Sequence, residues 1–182
     1  MGAHDVARTA GRWMILMGVG VAALAPVGAV GQTGQDFYAV TPCRLVDTRH
    51  APHKDVKEPG NLTPSGYPRG SFAGGEIRSY DLTLSSDCPG LPSGVGGWSL
   101  QLQFTTSGGS GVPSFLLVWP YVSAGGVGGQ TVPANESTML GYADRWTANS
   151  AIIPAGNDAD GSINVFVQNA GDVIVEIDGY FK

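Results

Sequence analysis

Apolar and polar positions alternate along much of the chain. Trp98, Leu100, Leu102 and Phe104 interleave with Ser99, Gln101 and Gln103, the two-residue period of a strand with one dry face and one wet face. Tyr80, Leu82 and Leu84 repeat the pattern after the Gly74-Gly75 turn. Ile163, Val165 and Val167 do so again, and Val173, Val175 and Ile177 follow across Asn169-Ala170-Gly171-Asp172, so these last two runs are expected to form a hairpin. Residues 115–119 are continuously apolar, which predicts a strand buried on both faces, and residues 151–153 read as a shorter piece of the same kind. Gly-rich connections at residues 93–97, 107–111 and 124–129 separate the runs, and no helical period persists beyond two turns. The pattern predicts an all-β fold, a single β-sandwich or jelly-roll-like domain of roughly seven to nine strands. Residues 50–72, with Pro52, Pro59, Pro64 and Pro68 and few apolar positions, read as a surface loop.

The N-terminal stretch follows a different logic. Arg8 and Arg12 precede an uncharged apolar run over residues 13–30, and Ala29 and Gly31 stand as small residues before Gln32. Charge, apolar core and small-residue exit define a secretory signal peptide, expected here over residues 1–31, with residues 32–182 as the exported domain. The core is broken by Gly18, Gly20 and Pro26, which favours cleavage over retention as an anchor. After cleavage no membrane attachment is expected, and the location is secreted, extracellular or at the cell surface.

Composition narrows the partners. The signal segment carries Arg8, Arg12 and Asp5, so its removal takes the net charge from −5 to −6. An acidic domain argues against nucleic acid and against charge-driven binding to anionic lipid. Only 14% of residues are charged while 28 are Gly and 12 are Pro, so turns and neutral polar faces are expected in place of long amphipathic helices. The two cysteines, Cys43 and Cys88, both fall in the exported part, and in an oxidising compartment the pair reads as one disulfide. It would close a loop of 45 residues, worth roughly 3 to 4 kcal/mol through restriction of the unfolded chain.

The sharpest local block is Phe37-Tyr38-Ala39-Val40-Thr41-Pro42-Cys43-Arg44-Leu45-Val46-Asp47-Thr48-Arg49, and the chain closes on Val173-Ile174-Val175-Glu176-Ile177-Asp178-Gly179-Tyr180-Phe181. Together they resemble a bacterial secreted β-domain family that opens with Thr-Pro-Cys-Arg, two aliphatic residues and Asp-Thr-Arg, and ends in Asp-x-Gly-Tyr-Phe. Cys88-Pro89-Gly90-Leu91-Pro92, Leu117-Val118-Trp119-Pro120 and Ala148-Asn149 match in order between them, so the likeness extends over residues 37–181. It implies a fold and an extracellular location, and attaches no catalytic residues. Simple strand alternation puts Cys43, Leu45, Asp47 and Arg49 on one face and Arg44, Val46 and Thr48 on the other. Asp47 and Arg49 are then expected to form a structural ion pair at the core edge, held also by backbone donors, and Asp178 is expected to play a similar part at the other terminus.

Candidate chemistry is sparse. His50 and His53 sit three apart in the Pro-rich loop without a third ligand pattern, and no Gly-x-Ser-x-Gly elbow occurs, so no metal, cofactor or catalytic residue is nominated. Residues 157–164 resemble part of a calcium loop, but Gly156 and Val167 stand where its first and last ligands belong, and a polar turn is expected. Asn61-Leu62-Thr63 and Asn135-Glu136-Ser137 are candidate N-glycosylation triplets. Of the tryptophans, Trp98 and Trp119 lie in apolar phase, whereas Trp146, beside Asp144 and Arg145, has a polar setting and is a candidate ligand contact, with Tyr121 and Tyr142 as further aromatics.

These readings point to a non-enzymatic extracellular structural or cell-surface interaction protein. Its partner would be another copy or a surface component, with assembly into a filament, tube or surface layer if the segment from Gln32 to Tyr38 pairs with an open sheet edge of a neighbour. The alternative is an adhesin-like module that binds a glycan or other surface ligand through Trp146.

Overall fold

Among the described residues eight strands form, most of them over the alternating or apolar runs. The structure, a computed structural model, describes residues 34–49, 70–85, 87–107, 113–123, 131–134, 136–143 and 145–182. The signal segment, His50, His53, Asn61, Asn135 and Asp144 lie outside them. The strands are β1 (Phe37–Asp47), β2 (Ile77–Tyr80), β3 (Gly97–Thr106), β4 (Ser114–Pro120), β5 (Met139–Gly141), β6 (Thr147–Pro154), β7 (Ile163–Val167) and β8 (Gly171–Phe181). They make two four-stranded antiparallel sheets, sheet A in the order β1-β8-β3-β6 and sheet B in the order β2-β7-β4-β5. The fold is therefore an all-β sandwich.

One core lies between the sheets. Sheet A contributes Val46, Trp98, Leu100, Leu102, Phe104, Val173, Val175 and Ile177, and sheet B contributes Tyr80, Leu116, Val118, Met139, Ile163, Val165 and Val167, all buried. Each apolar side chain of this size stabilises the fold by ~1.5–3 kcal/mol when withdrawn from water. Trp98 is fully buried because its indole Nε1 has a partner, the Gly161 carbonyl at 2.6 Å. The disulfide joins Cys43 on β1 to Cys88 in the loop ahead of β3, with Cα atoms 5.7 Å apart, and Cys88 packs into the core.

Three sequence expectations change. The expected hairpin of residues 163–167 and 173–177 does not form: β7 pairs with β2 and β4 in sheet B, while β8 pairs with β1 and β3 in sheet A. Alternation identifies a strand with one dry face, and two strands on opposite sides of the same core satisfy it as well as two neighbours do. The turn switches sheets at Gly171, where Phe72 exchanges backbone bonds with the glycine. A Cβ at Gly171 would collide with the Thr105 carbonyl, so only glycine lets the chain pass this close to β3.

The strand through Tyr80, Leu82 and Leu84 ends at Tyr80. Asp81 accepts from the Thr83 backbone N–H at 3.0 Å and its hydroxyl at 2.7 Å, which turns residues Leu82–Leu84 into a single 3-10 turn with Leu82 buried and Leu84 exposed. Residues 151–153 are not buried on both faces, because β6 is an edge strand and Ile152 is 66% exposed. By contrast Leu116 to Trp119, on the interior strand β4, are all buried.

Of the segment from Gln32 to Tyr38, the residues from Asp36 on lie along their own sheet. Phe37, Tyr38 and Ala39 pair with Phe181, Tyr180 and Gly179, and Asp36 and Lys182 exchange backbone bonds at 3.0 Å. The Tyr38 and Tyr180 rings stack with centroids 5.2 Å apart.

Candidate interaction site on the outer face of sheet A

The site is built by a bulge. β1 pairs Arg44 with Glu176 and Val46 with Val175, so Leu45 is an extra residue opposite none. Both Leu45 and Val46 then point inward and are buried. This overturns the face assignment from simple alternation: Arg44 shares the outer face with Asp47, and the Cys43, Leu45, Asp47 series is broken. The same bulge brings two guanidinium groups to one carboxylate.

Arg49 donates from Nε to Asp47 Oδ1 at 2.8 Å and from Nη2 to Oδ2 at 2.7 Å, and its backbone N–H reaches Oδ1 at 3.3 Å. Arg44 donates from Nη1 to Asp47 Oδ2 at 2.8 Å and from Nε and Nη2 to Glu176 Oε1 at 3.0 and 2.7 Å. The side chain of Asp47 is 14% exposed. Hydrogen bonding from Arg49, aided by Arg44, outweighs this burial and holds its carboxyl at about 2, below the ordinary 3.8. Asp81 is shifted the other way, raised because burial penalises its charge more than Thr83 stabilises it.

A polar row continues across the sheet. Gln101 donates to Asp178 Oδ2 at 3.0 Å and accepts from the Ser150 hydroxyl at 2.7 Å, linking β8, β3 and β6. The sequence expectation for Asp178 as a structural acid thus meets a neutral partner; its Oδ1 is buried with no hydrogen-bond partner among the described residues. At the end of β1, the buried Thr48 hydroxyl accepts from the Val173 N–H at 2.9 Å and donates to Asp172 Oδ1 at 3.1 Å. Asp172, with Ser71, Thr105 and Ser107, lines a cavity of about 230 Å³. A second cavity, about 460 Å³, lies against the disulfide between Val40 and Leu91.

Trp146 stands immediately before β6, 41% exposed, with the Arg49 guanidinium 5.5 Å from its ring centroid. Arg49 is fixed by Asp47, so the partly exposed indole lies against a cation that is itself clamped. Tyr142 is covered by Arg145 at 4.1 Å. Tyr121 bonds through its backbone to Ser162 and Asn157, near the Trp98 end of the sandwich, so it shares no platform with Trp146. Asp158, in the calcium-like segment, spends its carboxylate on the backbone N–H and hydroxyl of Ser162.

Beside Trp146 runs β6, the far edge of sheet A. It pairs with β3 without a register shift from Thr147↔Phe104 to Pro154↔Gly97. Ile152 lies on the outer face opposite Ser99, whose other neighbour is Gly179, and these small residues leave it uncovered. Arg44 and Glu176 are not legible in the sequence because the bulge reverses the alternation, and the β6 edge is not legible because a short apolar run has the same pattern in an interior strand. No known protein-family model matches the chain, and no curated protein matches it.

Proposed function

We propose that the protein is an extracellular, non-enzymatic structural protein that works by surface contact, its first partner being another copy of itself. The observation that carries this reading is the coincidence of two exposed apolar side chains, Trp146 and Ile152, with one edge of sheet A. Isolated exposed apolar groups are ordinary on soluble proteins, but an aromatic braced by a clamped arginine beside an open strand has the make-up of an interface anchor. Export is supported by the disulfide and by the likeness of the opening and closing blocks to secreted bacterial β-domains. Among the described residues no helix is long and apolar enough to cross a membrane.

Expression of the full chain in a Sec-competent bacterium tests the extracellular part. Intact mass of the protein in the medium is expected to show loss of residues 1–31 and two thiols blocked to alkylation. Retention in the cytoplasm with free thiols would overturn the reading. Because an aromatic side chain as exposed as Trp146 also suits sugar stacking, a glycan-binding role is the second reading. Screening the exported protein and its Trp146→Ala variant on a glycan array separates the two: a tryptophan-dependent signal favours the second, and silence with self-association favours the first.

A further inference from the structure

The sandwich has four sheet edges, and three are guarded. In sheet B, β5 is three residues long, and β2 is four residues long and carries Arg78. In sheet A, β1 is long, but Pro42, the charged Arg44 and Asp47, two register shifts and the disulfide interrupt it. These are the devices by which natural sheets prevent edge-to-edge pairing. The remaining edge, β6, has eight residues, no charged side chain, no bulge and a proline only at its last position.

The backbone direction of that edge follows from its last bond. The Ala155 N–H donates to the Gly96 carbonyl on the β3 side. Backbone groups alternate sides along a strand, so Asn149, Ala151 and Ile153 also turn theirs to β3, and Ala148, Ser150 and Ile152 turn theirs to the open edge. Pro154, with no N–H to give, falls on the open side, as edge prolines do. Among the described residues no backbone bond fills that side.

We infer that β6 is a homotypic interface, two copies pairing antiparallel through this edge about a two-fold axis at Ser150 to form a continuous eight-stranded sheet. This rests on the proposed function and specifies its partner and geometry. Centred there, Ser150 faces Ser150 and Ile152 faces Ala148, so Ala148, Ser150 and Ile152 each exchange both backbone bonds with their opposite numbers. Trp146 meets Pro154 of the other copy, and Ile152 gains an apolar neighbour. A centre at Ile152 would set Ser150 against Pro154 and forfeit a donor. A neutral strand suits a second copy of a chain of net charge −5, since the pairing brings no like charges together. The contact is isologous and closes at a dimer. An open filament would need β6 to pair with the guarded β1, or the N-terminal arm to leave its own β8.

Sedimentation velocity of the exported protein, over a concentration series reaching hundreds of micromolar, tests this. The wild type is expected to move from monomer to dimer and no further, and added salt is expected not to dissociate it. Ile152→Lys places a charge at the junction, and Ser150→Pro removes the central donors at a site whose N–H faces solvent. Each is expected to weaken the dimer at least ~10-fold, with an unchanged far-UV spectrum and intact disulfide. A wild type that stays monomeric, a dimer indifferent to both variants, or open-ended polymers would overturn the inference. Retained binding to intact cells by a monomeric wild type would leave the surface-contact reading standing without the β6 dimer.

Discussion

Asp47 shows how a single residue ties the fold to its conditions. Its carboxyl titrates at about 2 in the folded protein against an ordinary 3.8. A depressed carboxyl contributes stability that is complete above its unfolded pKa and is lost as pH falls through the folded value. For Asp47 that window lies between about pH 4 and pH 2. Asp81 acts in the opposite sense, since a raised carboxyl destabilises the charged native state and is relieved on acidification. Asp47→Asn is expected to destabilise the protein by ~1–2 kcal/mol at neutral pH, allowing for the exposure of the arginines, with the difference shrinking toward pH ~2. Urea unfolding of both proteins at several pH values measures it, and a pH-independent difference would refute the assignment. Gly179 is a second such position. A Cβ there would meet the Phe37 ring, which lies over it beside Phe181. Gly179→Ala is expected to loosen residues 34–39 and open them to protease while the core remains resistant, as limited proteolysis with mass mapping would show.

At the scale of elements, β1 bears the most. It joins β8, carries the bulge that collects Arg44 and Arg49 on Asp47, and is stapled through Cys43 to Cys88. Closing a 45-residue separation is worth up to ~4 kcal/mol, so unfolding free energies from denaturant titrations with and without reductant are expected to differ by that order, seen as a lower midpoint on reduction. A midpoint insensitive to reduction would contradict a stabilising staple. The strands themselves were legible in the alternation because side-chain period is a local property: Trp98 to Phe104 is buried and wet in turn, as read. Burial of Ile163 with Val165 and Val167 likewise matches the expected phase. What a strand pairs with is not local. Residues 163–177 show this, two alternating runs on opposite sheets, as does Ile152, whose apolar neighbours gave no sign that β3 would lie on one side only. The Asp47–Arg49 proximity was legible from their spacing, but Arg44 and Glu176 were hidden by one inserted residue, which no period reveals.

At the scale of the molecule, the sandwich divides its polar groups unevenly. Sheet A carries the ionic cluster on one edge strand and an uncharged, open strand on the other. Among the edge strands of the described residues, β6 is the one that is both long and uncharged, so it is the edge least protected against pairing. Pairing of Asp36 to Ala39 with the chain's own C-terminus occupies the arm and favours closed pairing over strand exchange. Amide hydrogen exchange on β6, followed by NMR at low and high protein concentration, tests this most directly. A β6 dimer requires that the amides of Asn149, Ala151 and Ile153, bonded to β3, are protected throughout, while those of Ala148, Ser150 and Ile152 become protected only as concentration rises. Even-numbered amides that exchange freely at every concentration, or concentration-dependent protection confined to β1, would contradict it.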